Sequence, residues 1–195
     1  MNSFMSDLAA KLDELSSHGQ LRSLMAVEHQ PGGDIIAAGR RYLNLAGNDY
    51  LGLATDSALC SAFYAARFGK EQLAGLGLGS TASRLMTGNT TVCALFEEEL
   101  ADFYQKEAAL LFNSGYHLNV GLLPALSTRE DLILADKLCH ASLIDGMRLS
   151  RAKVLRYPHL DYAAIERILA RERTRYRQVF LVSESIFSMD GDCAD

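Results

Sequence analysis

The sequence of 195 residues contains no tryptophan, only three prolines and only four cysteines, at Cys60, Cys93, Cys139 and Cys193. The cysteines are widely spaced and form no C-x-x-C pair, so a disulfide framework is not indicated. No apolar run approaches the ~18 residues that a membrane span needs, and the first twenty residues are too polar for a secretory signal. These absences predict a reducing, cytoplasmic environment with free thiols and no membrane partner.

Positive charge is also scarce, since the net charge is -5. This balance argues against a general nucleic-acid binder. The arginines of residues 167–177 alternate with Glu166, Glu172 and apolar residues, a pattern typical of a solvated helix face. The length allows one domain with a sizeable core, or one and a half domains.

Apolar periodicity predicts alternating helices and strands. Helical spacing covers residues 5–24, with Gly19 as a stop, and a short strand lies around residues 42–45. Further helices are predicted at residues 57–69, 91–105, 114–124, 141–150 and 160–177, and strands at 107–112, 131–135, 152–157 and 178–183. Because these strands are continuously apolar, they favour an α/β fold with a mostly parallel sheet flanked by helices.

Polar turns follow the first, second and fourth of those strands. They read "NSGYH", "DKLCHAS" and "SESIFSMDGD". Ligands of open α/β sheets collect beyond the carboxyl ends of the strands, so we expect these turns to lie near one another.

Two glycine-containing stretches suggest anion binding. Gly77, Gly79 and Ala82 match G-x-G-x-x-A, but a helix precedes them and no acidic ribose partner follows, so a flexible small-residue loop is favoured over a dinucleotide site. Ser114 and Gly115 lead from a strand into a helix, where free amides could bind an anion or a side chain could simply cap the helix. The local sequence favours neither reading over the other.

The remaining turns hold candidate catalytic residues. An isolated histidine such as His140 is more often structural, and a metal site with Asp136 and Cys139 is disfavoured because adjacent Cys and His cannot easily surround one ion. No metal is therefore predicted, and no G-x-S-x-G motif supports a hydrolase. In the last turn Glu184 and Ser188 are candidates, whereas "MDGD" favours a turn for its two aspartates, Asp190 and Asp192.

Six ordered motifs resemble the α-oxoamine synthase family of pyridoxal-phosphate enzymes. They are "NDYLGL" (48–53), "GSTASRLMTGNT" (79–90), "LFEEELADF" (95–103), "LLFNSGYHLN" (110–119), "DKLCHASLIDG" (136–146) and "SESIFSMDGD" (183–192). The resemblance runs from about residue 40 to the end. It implies fold type I, with a helical segment and linker over residues 1–40 and an incomplete large, cofactor-binding domain over residues 41–195.

The resemblance also implies a reaction. Pyridoxal 5′-phosphate would be the cofactor, and a decarboxylative condensation would join L-alanine to pimeloyl-CoA or pimeloyl-ACP, a step of biotin synthesis. "SRLMTGNT" and "RLSRAKVLRYPH" favour this branch over 2-amino-3-ketobutyrate CoA ligase or a serine palmitoyltransferase-like enzyme. A homodimer is implied, with residues 79–90 near the shared site.

Residue roles follow from the matched motifs. His140 matches the histidine that stacks on the pyridine ring, which reverses the structural reading of this residue. Ser114, Gly115 and Tyr116 match the phosphate-binding turn. Asn48 matches a position near the substrate carboxylate. Glu184 and Ser188 match polar residues beside the cofactor. Where the family often has histidine, this chain has Cys93, for which packing is expected.

Two residues that the family's chemistry needs have no counterpart in the sequence: the Schiff-base lysine and the aspartate opposite the pyridinium nitrogen. The lysines present are Lys11, Lys70, Lys106, Lys137 and Lys153, none in a matching context. The expectation is therefore the N-terminal half of an enzyme, inactive alone. A lysine-less partner subunit and an unrelated α/β domain are the alternatives.

Overall fold

The computed structural model of the chain describes residues 3–67 and 79–195. The chain divides into two compact units, residues 1–81 and 82–195. Lys70, Gly77 and the rest of residues 68–78 lie outside the described residues, as does part of the predicted small-residue loop.

Over its described residues, the first unit contains two α-helices and an antiparallel sheet. Helix α1 spans Ser3–Ser17 and helix α2 spans Ser57–Arg67. Between them lie strands β1 (Val27–His29), β2 (Asp34–Ala37) and β3 (Arg40–Leu43), in the order β1-β2-β3. A two-residue turn joins β2 to β3 with positive φ at Ala38 and Gly39, the backbone twist that suits a tight hairpin.

Aspartate side chains cap the last two described helical segments of this unit. Asp49 accepts hydrogen bonds from the amides of Leu53 and Ala54, which begin a short 3₁₀ turn. Asp56 accepts from the amides of Ala58 and Leu59 at 2.9 Å each and so begins α2. Side-chain oxygens at these positions satisfy amides that have no partner within the helix.

The second unit is a parallel sheet with helices. Its helices are α3 (Thr91–Phe103), α4 (Gly115–Leu126), α5 (Ala141–Leu149) and α6 (Tyr162–Glu172), and its strands are β4 (Leu132–Asp136), β5 (Lys153–Tyr157) and β6 (Val179–Val182). The strand order is β5-β4-β6, with both pairs parallel. This arrangement agrees with the predicted α/β class.

The central strand β4 is buried on both faces. Ile133 and Ala135 pack with residues of α4 and α5, among them Leu123 and Met147. Leu134, which points to the opposite face, packs with Ala164 and Ile165 of α6, as the alternation of side chains along a strand requires. This two-sided burial explains the uninterrupted apolar sequence of β4.

Two sequence-based expectations for this unit were wrong in detail. Residues 107–112 form no strand: the Leu111 amide donates to Glu97 and the Leu111 carbonyl accepts from Arg84, so side chains occupy these backbone groups. Helix α4 also continues past Pro124 and ends two residues later. In the last turn, the missing proline amide removes only one hydrogen bond.

Candidate functional site

The turns that follow β4 and β6 meet at the carboxyl edge of the parallel sheet. His140, the N-cap residue of helix α5, lies four residues beyond the end of β4, and Glu184 lies two residues beyond the end of β6. The His140 amide donates a hydrogen bond to Glu184 Oε1. A carboxylate near the N-terminus of a helix is also favoured by the helix dipole. The structure therefore joins two of the predicted turns directly.

His140 has a defined ring orientation. Its Nδ1 accepts a hydrogen bond from the Ser142 amide at 3.1 Å and lies 2.7 Å from the Ser142 hydroxyl. That hydroxyl also accepts from Asn119 Nδ2 at 2.9 Å. Because Nδ1 accepts, the neutral ring carries its proton on Nε2. The imidazole is exposed, with a fixed tautomer.

The turn before α4 has the geometry of a capped helix start. Ser114 Oγ accepts from the His117 amide at 3.2 Å and lies 3.0 Å from His117 Nδ1. Gly115 is the first helical residue, and a Cβ built on it would meet no atom within 4 Å. Open space beside the amides of a helix start suits a bound anion. A cap and an anion site are compatible here.

Helices α4 and α5 bring this turn to His140. The Tyr116 hydroxyl donates to Asp145 Oδ2 at 3.0 Å, and the pKa of Tyr116 is raised, chiefly by that hydrogen bond. Asn119 and Ser142 form the second link, described above. Gly146 makes this contact possible, because a Cβ there would lie 3.0 Å from the Asn119 carbonyl carbon. All three predicted turns thus belong to one connected region.

Ser188 lies in the exposed turn after β6. It lines a shallow pocket together with His140, Glu184, Leu138 and Phe187. The turn covers residues 188–190, and Ile186 pairs with Cys193 across it. The prediction of a turn at Asp190 is confirmed, and Asp192 lies two residues beyond it.

Sequence reasoning missed a network that involves Asp192. His159 Nδ1 lies 2.9 Å from Asp136 Oδ1, and His159 Nε2 lies 2.9 Å from Asp192 Oδ2. The buried Asp136 also accepts from the amides of Leu138 and Leu160. The signal was present, because His159 follows β5 at the same edge of the sheet as His140 and Glu184.

A second missed element supports the segment before Ser114. Arg84 and Glu97 form a bidentate ion pair, with Nη1–Oε1 at 2.6 Å and Nη2–Oε2 at 2.7 Å. The hydrogen bond from Arg84, followed by that from the Leu111 amide, lowers the pKa of Glu97 to about 2. Planar pairing of this kind is specific to arginine. The pair holds residues 110–112, which lead into the Ser114 turn.

Asn48 belongs to the first unit. It is exposed, and its Oδ1 accepts from the Tyr50 hydroxyl at 3.4 Å. Its predicted role near a substrate carboxylate stays a prediction. Cys93 also has a local partner, since its sulfur accepts from the Thr90 hydroxyl at 3.4 Å.

Over residues 3–67 and 79–195, no group of three or more His, Cys, Asp or Glu side chains could hold a metal ion. None of the helices in those ranges is long and apolar enough to cross a membrane.

Comparison with known proteins relates this chain to a family. The model of the family described as aminotransferase class I and II matches residues 40–195. A putative 8-amino-7-oxononanoate synthase of Glaesserella parasuis is 50% identical over 98% of this chain and 49% of its own length. The 8-amino-7-oxononanoate synthase of Haemophilus ducreyi is 49% identical over 97% of this chain and 49% of its own length. The chain thus spans about half the length of the curated relatives it matches.

Solved structures give the same picture. A serine palmitoyltransferase from S. paucimobilis, with a bound PLP–myriocin aldimine, matches 98% of this chain and 48% of its own chain, with a TM-score of 0.80 and 26% identity. An 8-amino-7-oxononanoate synthase from Francisella tularensis matches 76% of this chain and 38% of its own, with a TM-score of 0.57 and 30% identity. These likenesses confirm the resemblance and the fold class predicted from the six motifs.

Proposed function

Because this chain belongs to the aminotransferase class I and II family, we propose that the whole protein is a pyridoxal-phosphate-dependent acyltransferase. Its reaction is the decarboxylative condensation of L-alanine with a pimeloyl thioester to 8-amino-7-oxononanoate, in biotin synthesis. The observation that carries this choice is the identity of 46–50% with relatives of that name over nearly the whole chain. The thioester is pimeloyl-CoA or pimeloyl-ACP.

The residues at the carboxyl edge of the sheet fit the cofactor. Pyridoxal phosphate supplies an electron sink for the carbanion at the substrate Cα. The open helix start at Ser114, Gly115 and Tyr116 would hold its phosphate, because helix amides and the helix dipole favour an anion. The open space beside Gly115 leaves room for this approach.

His140 would hold the cofactor ring. Its exposed imidazole offers a flat face for stacking, and its orientation is fixed through Ser142 and Asn119. Because Nδ1 contacts Ser142, the Nε2–H group points outward. This group can donate a hydrogen bond to an anionic substrate oxygen. This residue therefore orients both cofactor and substrate.

Glu184 and Ser188 are proposed as polar neighbours of the ring. Glu184 Oε1 accepts from the His140 amide, so its carboxylate is held at the pocket that Ser188 also lines. The Ser188 hydroxyl can donate to a ring substituent or to the substrate. Asn48 is proposed near the substrate carboxylate, and the whole protein is proposed to be a homodimer with residues 79–90 near the shared site.

None of the described lysines lies at this edge in a Schiff-base context. Lys137 follows β4 directly, but no aldimine-lysine motif surrounds it in the sequence. We therefore expect this chain alone not to turn over, and not to give a borohydride-stable adduct with pyridoxal phosphate. Reducible labelling of one of its five lysines would contradict this expectation.

Thiol release by the whole protein is the direct test. Release of free thiol from pimeloyl-CoA should require L-alanine. His140→Ala should weaken pyridoxal-phosphate affinity up to about tenfold through lost stacking, and His140→Phe should restore part of it. The matched control is His29→Ala, an exposed histidine of β1 in the first unit. Alanine-independent release would refute the assignment.

A serine palmitoyltransferase-like activity is the second candidate. The observation that favours it is the higher structural similarity, a TM-score of 0.80 against 0.57 for the 8-amino-7-oxononanoate synthase of Francisella tularensis. The assay distinguishes the two, because thiol release that requires L-serine and a long-chain acyl thioester would support this branch. Dependence on glycine would indicate a ligase instead.

A further inference from the structure

His159 links the end of β4 to the turn after β6. Its ring lies between the carboxylates of Asp136 and Asp192, with both nitrogen–oxygen distances at 2.9 Å. Asp136 is the last residue of β4, whereas Asp192 closes the turn that carries Ser188. No part of this network belongs to the residues assigned to the cofactor above.

The proton count of the network follows from its donors and acceptors. An ionised carboxylate only accepts hydrogen bonds, so both ring nitrogens of His159 must donate. Both contacts are therefore made only by the imidazolium form. The pKa of His159 is accordingly raised, first by Asp136 and then by Asp192. Burial alone would raise the pKa of Asp136, but the Leu138 and Leu160 amides and His159 lower it, so it remains ionised.

The two carboxylates are held differently. Asp136 is fully buried and keeps its two backbone donors whatever the state of His159. The Asp192 side chain is 40% exposed, and its Oδ1 is shielded yet accepts no hydrogen bond from the described residues. When His159 loses one proton, the remaining proton stays on Nδ1, opposite the buried charge. The Nε2 lone pair then faces Asp192 and repels it.

Backbone hydrogen bonds join Asp192 and Phe187 across the turn. The Asp192 carbonyl accepts from the Phe187 amide at 2.9 Å, and the Phe187 carbonyl accepts from the Gly191 amide at 2.8 Å. The buried Phe187 ring meets His159 edge-on, with 4.4 Å between ring centroids. Ser188 follows Phe187 directly, so its position depends on these contacts.

We propose that protonated His159 is a positioning residue, which fastens residues 186–193 to the end of β4 and so holds Ser188 beside His140 and Glu184. The attachment is a property of the chain itself. Only its consequence for the cofactor rests on the proposed function.

The attachment should weaken as the pH rises. A histidine with a raised pKa in the folded state contributes its full stabilisation below its ordinary value of 6.5 and loses it as the pH rises through the folded value. The titratable groups that face His159 are Asp136 from β4 and Asp192 from the turn. On its own segment, Asp161 instead caps α6 through the Ala164 amide and pairs with Arg167. The turn should therefore loosen on the alkaline side.

Amide exchange and histidine titration test the attachment in the whole protein. The Cε1–H NMR signal of His159 should titrate above the ordinary value, and Asp192→Asn should lower that pKa. Protection of the amides of residues 183–193, corrected for the intrinsic rate, should fall several-fold as His159 deprotonates. His159→Gln and Asp192→Asn should remove this pH dependence, whereas His29→Gln should keep it.

The outcomes separate the attachment from the function. An ordinary His159 pKa, or protection that is independent of pH, would overturn the proposal. Should His159→Gln not fold, Asp192→Asn decides, because it keeps the Asp136 contact. Pyridoxal-phosphate affinity, measured by absorbance, should fall several-fold with pH in the wild type and not in Asp192→Asn. Unchanged affinity despite a loosened turn would refute the positioning role, and absent thiol release with normal affinity would count against the proposed reaction alone.

Discussion

Gly146 of α5 permits the close approach of α4, and replacing it with alanine should separate the two helices. A Cβ at this position would lie 3.0 Å from the Asn119 carbonyl carbon, closer still to its oxygen, and 3.3 Å from Leu123 Cδ1. The Leu123 side chain can rotate, but the Asn119 backbone is part of α4 and cannot move alone. The whole helix must therefore shift.

The cost follows from the size of that shift. Optimal separations between carbon atoms begin at about 3.5 Å, so the helices must separate by at least roughly 0.5 Å. That movement would stretch the Asn119–Ser142 hydrogen bond from 2.9 Å toward the limit of a useful interaction. Overpacking costs about 1–3 kcal/mol and the weakened hydrogen bond about 1 kcal/mol. We expect Gly146→Ala to lower the free energy of unfolding by roughly 2–4 kcal/mol.

Urea denaturation followed by circular dichroism measures this loss. The matched control is Gly121→Ala, the same chemical change in α4, where a Cβ would meet only Phe112 Cε1 at 3.8 Å. Because alanine is the better helix former, this control should be stabilised by up to about 1 kcal/mol. If both variants unfold at the same urea concentration, the close approach at Gly146 does not constrain the helices.

Three further predictions concern other parts of the second unit. Ser114→Ala removes the cap of α4 and should lower the free energy of unfolding in urea by about 1 kcal/mol. Arg84→Gln should raise the Glu97 pKa from about 2. A lowered carboxylate pKa stabilises the fold above the unfolded-state pKa of 4.5, and this contribution disappears as the pH falls toward about 2. Because Arg84→Gln lacks this contribution, the variant should unfold at a higher pH during acid titration. An unchanged midpoint would speak against the ion pair. Burial raises the Cys139 pKa to about 11, so iodoacetamide should label the exposed Cys193 and spare Cys139, as peptide mass spectrometry would show.

The sheet of the second unit was predictable because its signals are local. β4 is apolar without interruption since both of its faces are covered, and each flanking helix has a period that sequence alone displays. The turns after β4 and β6 were also predictable as neighbours, because parallel strands end at the same edge. What sequence supplied for the site was therefore mostly topology.

Other features depend on contacts that sequence does not display. β1 is a strand of three exposed residues, too short for any alternation to be recognised. Residues 107–112 are apolar enough for a strand, yet Arg84 and Glu97 occupy the Leu111 backbone groups from distant positions. The contact between His159 and Asp192 spans 33 residues, and it required the folded turn to be seen.

The strands before the turns after β4 and β6 are paired to different extents, and this difference explains why side-chain hydrogen bonds attach the turn after β6. The turn after β4 follows a central strand that pairs with β5 and β6 and packs on both faces. The backbone that leads to His140 is therefore held rigidly. The turn after β6 leaves a strand that pairs with β4 alone among the described strands, and Leu181 within it is 57% exposed. Backbone pairing therefore fixes the second turn less firmly. Its two attachments, Glu184 to the His140 amide after β4 and Asp192 to His159 after β5, supply the missing constraint through charged hydrogen bonds, which are stronger and more directional than apolar contacts.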